Sequence, residues 1–168
     1  MSVIGEAFVG EGSEAAHINV VLGHSTGPVG TAWATALATP REGHAPFMVC
    51  LQPNLPVKPA TLFVNKATLA HDQHAALHWG AAQSGVASGV LRAVAEGLIS
   101  KEKVDEQVLL VAVWVAPEAQ DADLVYEFNR EATYLALRNA VRGLPVVDDV
   151  LAQRNKPVNG YYLPKEFR

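Results

Sequence analysis

A histidine and an asparagine two residues apart are the side chains best placed to do chemistry. His17 and Asn19 lie in an alternating segment, Ala15 to Leu22, that predicts a strand. On a strand, residues i and i+2 point the same way, so both face away from an apolar side that includes Ile18. Histidine exchanges protons near neutral pH, which suits it to acid–base catalysis. On spacing alone, a lone histidine on a strand is ordinarily a partly exposed surface residue.

A second pair of polar residues ends another predicted strand. Lys66 and Thr68 continue the face begun by Leu62 and Val64 in the segment Thr61 to Leu69, and that face changes from apolar to polar. Such a change occurs where a core reaches the rim of a pocket, or where a strand simply emerges into water. Both interpretations stay open on spacing alone.

A long alanine-rich helix, predicted over Asp72 to Ile99, carries the remaining candidates. Gln83 follows two alanines, and such small neighbours allow close approach of either a ligand or another helix. His71, His74 and His78 have helical spacing, but cysteines and a carboxylate set are lacking beside them. We therefore expect a solvated helix face there, and no metal site.

The remaining segments predict an α+β fold. Further strands are expected at Ile4 to Val9, Pro46 to Leu51 and Val108 to Val115, with helices at Thr31 to Thr39 and Asp121 to Arg142. The order favours a two-layer arrangement, a mixed sheet with helices on one side. We expect one domain over residues 1–168, with an irregular C-terminal arm from about residue 155 that packs on a neighbouring subunit.

Composition narrows the class of protein. The chain has 168 residues, 49% hydrophobic and only 18% charged, with a net charge of −4. That charge argues against binding to nucleic acid or acidic membranes, which a basic patch favours. No run approaches the roughly 20 apolar residues of a membrane span. The N-terminus does not resemble a secretory signal, so we expect a cytoplasmic protein, and the low charge is typical of oligomers.

Six spaced sequence blocks resemble the formaldehyde-activating enzyme family. They run in register, almost without length change, over roughly residues 4 to 153. The first contains the candidate histidine and is similar to the family pattern VGxGxExAHID. The blocks are VGEGSEAAHI at 9–18, PNLPVKP at 53–59, NKAT at 65–68, GAAQ at 80–83, AVAEG at 93–97 and NREAT at 129–133.

The resemblance implies a fold, an assembly and a reaction in one-carbon metabolism. Members of the family have a fold similar to domain 2 of ribosomal protein S5 and assemble as homopentamers with sites between subunits. They condense formaldehyde with the co-substrate tetrahydromethanopterin to the 5,10-methylene derivative. No metal and no cofactor beyond that reduced pterin is implied.

The resemblance also assigns roles to individual residues. His17 matches the family's catalytic histidine, and Lys66, Thr68 and Gln83 match its pterin-contacting residues. Two further pterin-contacting positions differ. Met48 replaces a leucine, a swap that preserves volume and apolarity. Asn19 replaces an aspartate, so a negative charge is lost while hydrogen bonding is kept.

These two differences, with Ser84 where the family commonly has histidine, indicate a divergent paralogue. The implied function is therefore an enzyme of the family, a carbon–nitrogen lyase. The alternative is a non-catalytic protein that binds, carries or senses a reduced pterin. A purely structural oligomer partner would not explain why the pocket residues are kept.

Overall fold

Alternating and β-branched segments form the strands of this protein, and alanine-rich segments form its helices. The computed structural model describes residues 2–159 and 162–165. The strands are β1 (Val3–Val9), β2 (Ala16–His24), β3 (Phe47–Met48), β4 (Cys50–Gln52), β5 (Leu55–Pro56), β6 (Ala60–Asn65) and β7 (Gln107–Trp114). The helices are α1 (Pro28–Ala38), α2 (Asp72–Leu77), α3 (Gln83–Ala95), α4 (Ala122–Arg142) and α5 (Val147–Ala152).

Five strands form one sheet in the order β1-β2-β7-β6-β3, and β4 pairs with β5 in a separate hairpin. Only β6 and β7 are parallel, and the other three pairs are antiparallel. The predicted α+β fold with a mixed sheet is confirmed.

One face of the sheet carries the core, against which α3 and α4 pack. Ile18 and Val20 of β2 and Val111 of β7 are fully buried there, and each such side chain contributes about 1.5–3 kcal/mol. Close packing between the helices depends on glycines. A Cβ at Gly85 or Gly89 would lie 2.5 or 2.6 Å from a carbonyl oxygen of α4.

The other face, called here the open face, is only partly covered. It carries the side chains of Ile4, Glu6, Phe8, His17, Asn19, Val21, Leu62, Val64, Leu110, Ala112 and Trp114. Helix α1 covers one end of this face, where Val29 packs on Gly23. The prediction of helices on one side therefore fits α3 and α4, whereas α1 lies on the other side.

Strand β6 is shorter than predicted because its last side chain turns the chain away from the sheet. The Asn65 side-chain amide donates to the carbonyl oxygens of Gly43 and Ala67, at 2.8 and 2.7 Å. Lys66 and Thr68 therefore follow the strand instead of belonging to it. Of the two, Thr68 is exposed, whereas Lys66 is half-buried.

Two other predicted elements are interrupted. The strand expected over 46–51 is divided at Val49 into β3 and β4. The long helix expected over 72–99 consists of α2, a π-helical stretch at His78–Ala82, and α3, which ends at Ala95. Helix α5 was not predicted.

The C-terminal arm predicted from about residue 155 is described in part. Residues 155–159 and 162–165 form no α-helix, and their strand-like pairing is an isolated bridge between Asn159 and Tyr162. Residues 160, 161 and 166–168 lie outside the described part of the chain. Among the described helices, none is long and apolar enough to cross a membrane.

Candidate functional site

His17 is paired with a carboxylate on the neighbouring strand. Glu6 of β1 lies opposite Asn19, and its Oε1 is 3.0 Å from the Nε2 atom of His17. A carboxylate oxygen accepts hydrogen bonds, so Nε2 carries the proton of the imidazole. The Nδ1 atom is then the ring nitrogen left to exchange a proton with a substrate. The His17 side chain is 38% exposed, which leaves it accessible on the open face.

Asn19 accepts a hydrogen bond from a lysine that follows β6, two strands away in the sheet. The Nζ atom of Lys66 donates to the Asn19 Oδ1 atom at 2.8 Å. The backbone N–H of Lys66 donates to the Val113 carbonyl, which fixes the start of the side chain beside β7. Asn19 belongs to β2, on the far side of β7 from β6, so the lysine side chain spans the width of β7 to reach it.

The environment of Lys66 disfavours its charged form. Burial lowers the pKa of Lys66 from 10.5 to about 8, although the nearby negative charge of Glu6 opposes the change. The direct partner of the ammonium is the neutral Asn19 amide, which offers no compensating charge. The site therefore contains a lysine that loses its proton more readily than an ordinary one.

Thr68 is oriented by a histidine that sequence reasoning did not single out. The His44 Nδ1 atom is 3.1 Å from the Asn65 carbonyl oxygen, and its Nε2 atom is 3.0 Å from the Thr68 hydroxyl. A carbonyl only accepts, so Nδ1–H donates to it and Nε2 accepts the Thr68 hydroxyl proton. The hydroxyl lone pairs of Thr68 consequently point elsewhere and can accept from a ligand.

Gln83 is held at the first residue of α3 by two backbone groups. Its Oε1 accepts from the Cys50 N–H at 3.1 Å, and its Nε2 donates to the Trp79 carbonyl at 2.6 Å. Gln83 thus ties the helix to the hairpin of β4. One N–H and one lone pair of its amide are still available for a ligand.

Met48 lies on the edge strand β3, opposite Leu62, and its side chain is 37% exposed. This pairing places it on the open face. Three strand spacings separate β3 from β2, roughly 14 Å at about 4.8 Å each. Within one chain, Met48 is therefore well separated from His17.

The structure brings together three of the six predicted site residues. His17, Asn19 and Lys66 form one cluster with Glu6, which the sequence reasoning missed. Thr68 follows closely in the chain, whereas Gln83 and Met48 lie towards the other edge of the sheet. Glu6 could have been found from the pairing of the first two predicted strands, because alternation puts it on the face of His17.

The prediction of a solvated histidine face is wrong for His74 and His78, whereas His71 is exposed. His74 and His78 are buried, and His74 uses both ring nitrogens, accepting from the Ala70 N–H and donating to the Val115 carbonyl. Burial also lowers the pKa of His78. His71 caps α2 through its ring. Among residues 2–159 and 162–165, no three His, Cys, Asp or Glu side chains are grouped to hold a metal ion.

Comparison with known proteins places the chain in a family. The family model described as formaldehyde-activating enzyme (Fae) matches residues 4–162, nearly the whole chain. This chain belongs to the formaldehyde-activating enzyme family. The resemblance inferred from the six sequence blocks is confirmed.

Its similarity to individual family members extends over most of the chain. It is 44% identical to the 5,6,7,8-tetrahydromethanopterin hydro-lyase of Methanosarcina barkeri, over 92% of this chain and 86% of that protein. It is 43% identical to the bifunctional enzyme Fae/Hps of Methanothrix thermoacetophila, over 96% of this chain. The bifunctional enzyme of Methanosarcina mazei is 44% identical over 93% of the chain. This chain spans 42% and 40% of these two longer proteins.

Proposed function

We propose that this formaldehyde-activating enzyme family member condenses formaldehyde with tetrahydromethanopterin to 5,10-methylenetetrahydromethanopterin and water. The observation that carries the proposal is the cluster on the open face. There, His17 with its Glu6 partner lies beside Lys66 and Asn19. This is a proton-transfer group next to a polar anchor, in a chain similar to a tetrahydromethanopterin hydro-lyase.

Acid catalysis is the role that the cluster supports for His17. A pterin nitrogen adds to formaldehyde and gives a hydroxymethyl adduct, whose hydroxyl leaves as water once it is protonated. Glu6 holds Nε2–H, so the proton passes through Nδ1 of His17. Glu6 also holds the imidazole in the orientation that presents Nδ1, as a carboxylate does in hydrolytic triads.

The resemblance to the family implies an aspartate at the position of Asn19. Its negative charge, which this chain lacks, would lie next to the cation that forms when water leaves. In other enzymes the removal of one such electrostatic group lowers the rate on the order of 10²–10³. Glu6 directly faces Asn19 across the strand pair. Although it is bonded to His17, its carboxylate supplies a negative charge on the same face as Asn19.

Pterin binding falls to Lys66, Thr68, Gln83 and Met48, together with the amide of Asn19. Lys66 provides a donor beside the acid, and Thr68 an acceptor two residues later in the chain. Met48 lies at the far edge of the same sheet, and Gln83 lies at the start of α3 against the β4 hairpin. These two regions are well separated within one chain. One pterin could contact both if one copy of the chain supplied the first region and a second copy supplied the other, which fits a site formed between two copies.

The open face also favours such an assembly. Ile4 and Phe8 flank Glu6 on β1 and are 71% and 57% exposed. A second copy that covers them would exclude water from His17. We therefore propose a homo-oligomer, with the homopentamer implied by the family, acting in the cytoplasm.

One observation favours a second function. The neutral Asn19 amide satisfies Lys66 without any acid–base role of its own. A protein that only binds, carries or senses a reduced pterin would need this anchor and no carboxylate. This alternative retains the binding residues and dispenses with His17.

The rate of formaldehyde condensation with tetrahydromethanopterin tests the proposal. We expect a protein-dependent rate above the spontaneous background, which falls about 10²–10⁴-fold in His17→Ala. Calorimetric pterin binding is expected to be retained in that variant. Binding without any catalysed rate would establish the carrier or sensor function. The absence of both would contradict the proposed pterin site.

A further inference from the structure

Lys66 is the nucleophile that the proposed mechanism does not use. Its Nζ atom donates one hydrogen bond to Asn19 on the open face, where it is half-buried. Among the strands that line this face, Glu6 and His17 supply the titratable side chains. The Glu6 carboxylate is already paired with the His17 Nε2 atom at 3.0 Å. Lys66 is therefore left with a neutral amide as its direct partner.

Burial, next to a partner that carries no charge, increases the share of the amine that is unprotonated. A lysine of pKa 10.5 is a free amine in about one molecule in 3,000 at pH 7, and one of pKa 8 in about one in ten. This is roughly a 300-fold enrichment of the nucleophilic form. Lysines desolvated in this way serve as covalent catalysts towards carbonyl compounds.

We propose that Lys66 attacks formaldehyde and carries its carbon as a covalent adduct on the open face. The inference rests on the proposed function, since that function makes formaldehyde the substrate. It goes beyond it by making Lys66, in place of the pterin nitrogen, the group that first attacks formaldehyde. Lys66 is then a covalent catalytic residue in addition to a pterin anchor. A lysine paired with a carboxylate at position 19 would be kept protonated, whereas Asn19 leaves its lone pair available.

The steps balance without any oxidant or reductant. The Nζ lone pair forms a bond to the formaldehyde carbon, the oxygen gains a proton, and the nitrogen loses one, which gives a carbinolamine. His17 protonates its hydroxyl, the C–O bond breaks, and water leaves a methylene iminium ion on Lys66. One pterin nitrogen then adds to the carbon. The second nitrogen displaces Lys66, which departs as an amine, and the two protons lost by the pterin return to the lysine and His17.

Reductive trapping of the iminium ion tests this proposal. The protein is mixed at pH 7 with ¹³C-formaldehyde and cyanoborohydride, which delivers hydride to the iminium carbon and leaves an N-methyl group. Initial labelling rates are measured by peptide mass spectrometry at Lys66 and at the exposed Lys101 and Lys103 of the same molecules. We expect Lys66 to be labelled at least tenfold faster than either reference.

Two variants and one parallel rate measurement complete the test. Lys66→Arg keeps the positive charge, and it is expected to lose the fast label and most of the condensation rate. Asn19→Asp is expected to slow labelling of Lys66 at least tenfold, while the reference lysines are unchanged. A normal condensation rate with Lys66 labelled no faster than Lys101 would overturn the covalent role and leave the proposed function standing. Fast labelling without any condensation would support the covalent site and contradict the proposed function.

Discussion

The strongest quantitative expectation concerns the proton on Lys66 when Asn19 becomes aspartate. The Lys66 Nζ atom lies 2.8 Å from the oxygen that would acquire the charge. An opposite charge within about 4–6 Å typically shifts a pKa by 1–3 units towards the charged form. In Asn19→Asp the pKa of Lys66 should therefore rise from about 8 to between roughly 9 and 11.

Competitive acetylation gives this pKa without any use of formaldehyde. Acetic anhydride labels free amines, so the label at Lys66 relative to exposed Lys103, read over pH 7–11, follows deprotonation of Lys66. Asn19→Ala is the matched control, because it removes the hydrogen bond without adding a charge. We expect its titration midpoint to stay close to 8.

Identical midpoints in Asn19→Asp and Asn19→Ala would refute the reasoning. Such a result would mean that residue 19 exerts no electrostatic influence on the lysine. The low pKa would then be a property of burial alone, and the change from aspartate to asparagine would have no bearing on the nucleophile.

Three further outcomes are expected. Glu6→Gln should lower kcat about tenfold, because a charge-assisted bond to His17 becomes a neutral one of roughly half the strength; an unchanged kcat would contradict the orienting role. Lys66→Met should raise the free energy of unfolding at pH 7 by about 1 kcal/mol, because the folded protein then no longer holds a partly desolvated charge. This value is discounted for the solvent around the half-exposed side chain. The pKa of Lys66 is about 8 in the folded protein and 10.5 in the unfolded chain, so the extra stability of Lys66→Met should disappear as the pH rises from 8 to 10.5. Urea titrations at pH 7 and pH 10 check this. Gln83→Met should destabilise the fold by about 1–2 kcal/mol, because the Cys50 N–H loses its acceptor; an unaltered thermal midpoint would show that this bond contributes nothing.

Local patterns predicted the face of His17 and Asn19 because strand alternation is a short-range property. They predicted the fold class for the same reason. The end of β6 was missed because the side chain of Asn65 satisfies two carbonyl groups, one of them 22 positions earlier in the chain. A periodicity of two cannot report such a contact.

The burial of His74 was missed for a related reason. Its ring reaches the Val115 carbonyl, 41 positions away, and both nitrogens find partners. A buried and fully satisfied histidine has the same sequence signal as a solvated one. The contact between Glu6 and His17 could have been predicted, because it follows from the register of two strands that are adjacent in the chain.

The π-helical stretch at His78–Ala82 has a consequence for how this family member tolerates changes in length. Such a stretch holds about one residue more than the α-helix it interrupts. Gly80, in its middle, is exposed, and a side chain there would meet nothing within 4 Å. Removal of Gly80 would let α2 run straight into α3 with Gln83 still facing Cys50, because the π-helical stretch already absorbs the extra residue. A deletion within the regular turns of α3 would instead rotate the residues on its two sides by about 100° relative to each other. The helix can therefore lose one residue in this solvent-facing turn and stay attached to the hairpin, a tolerance that substitution scans would overlook.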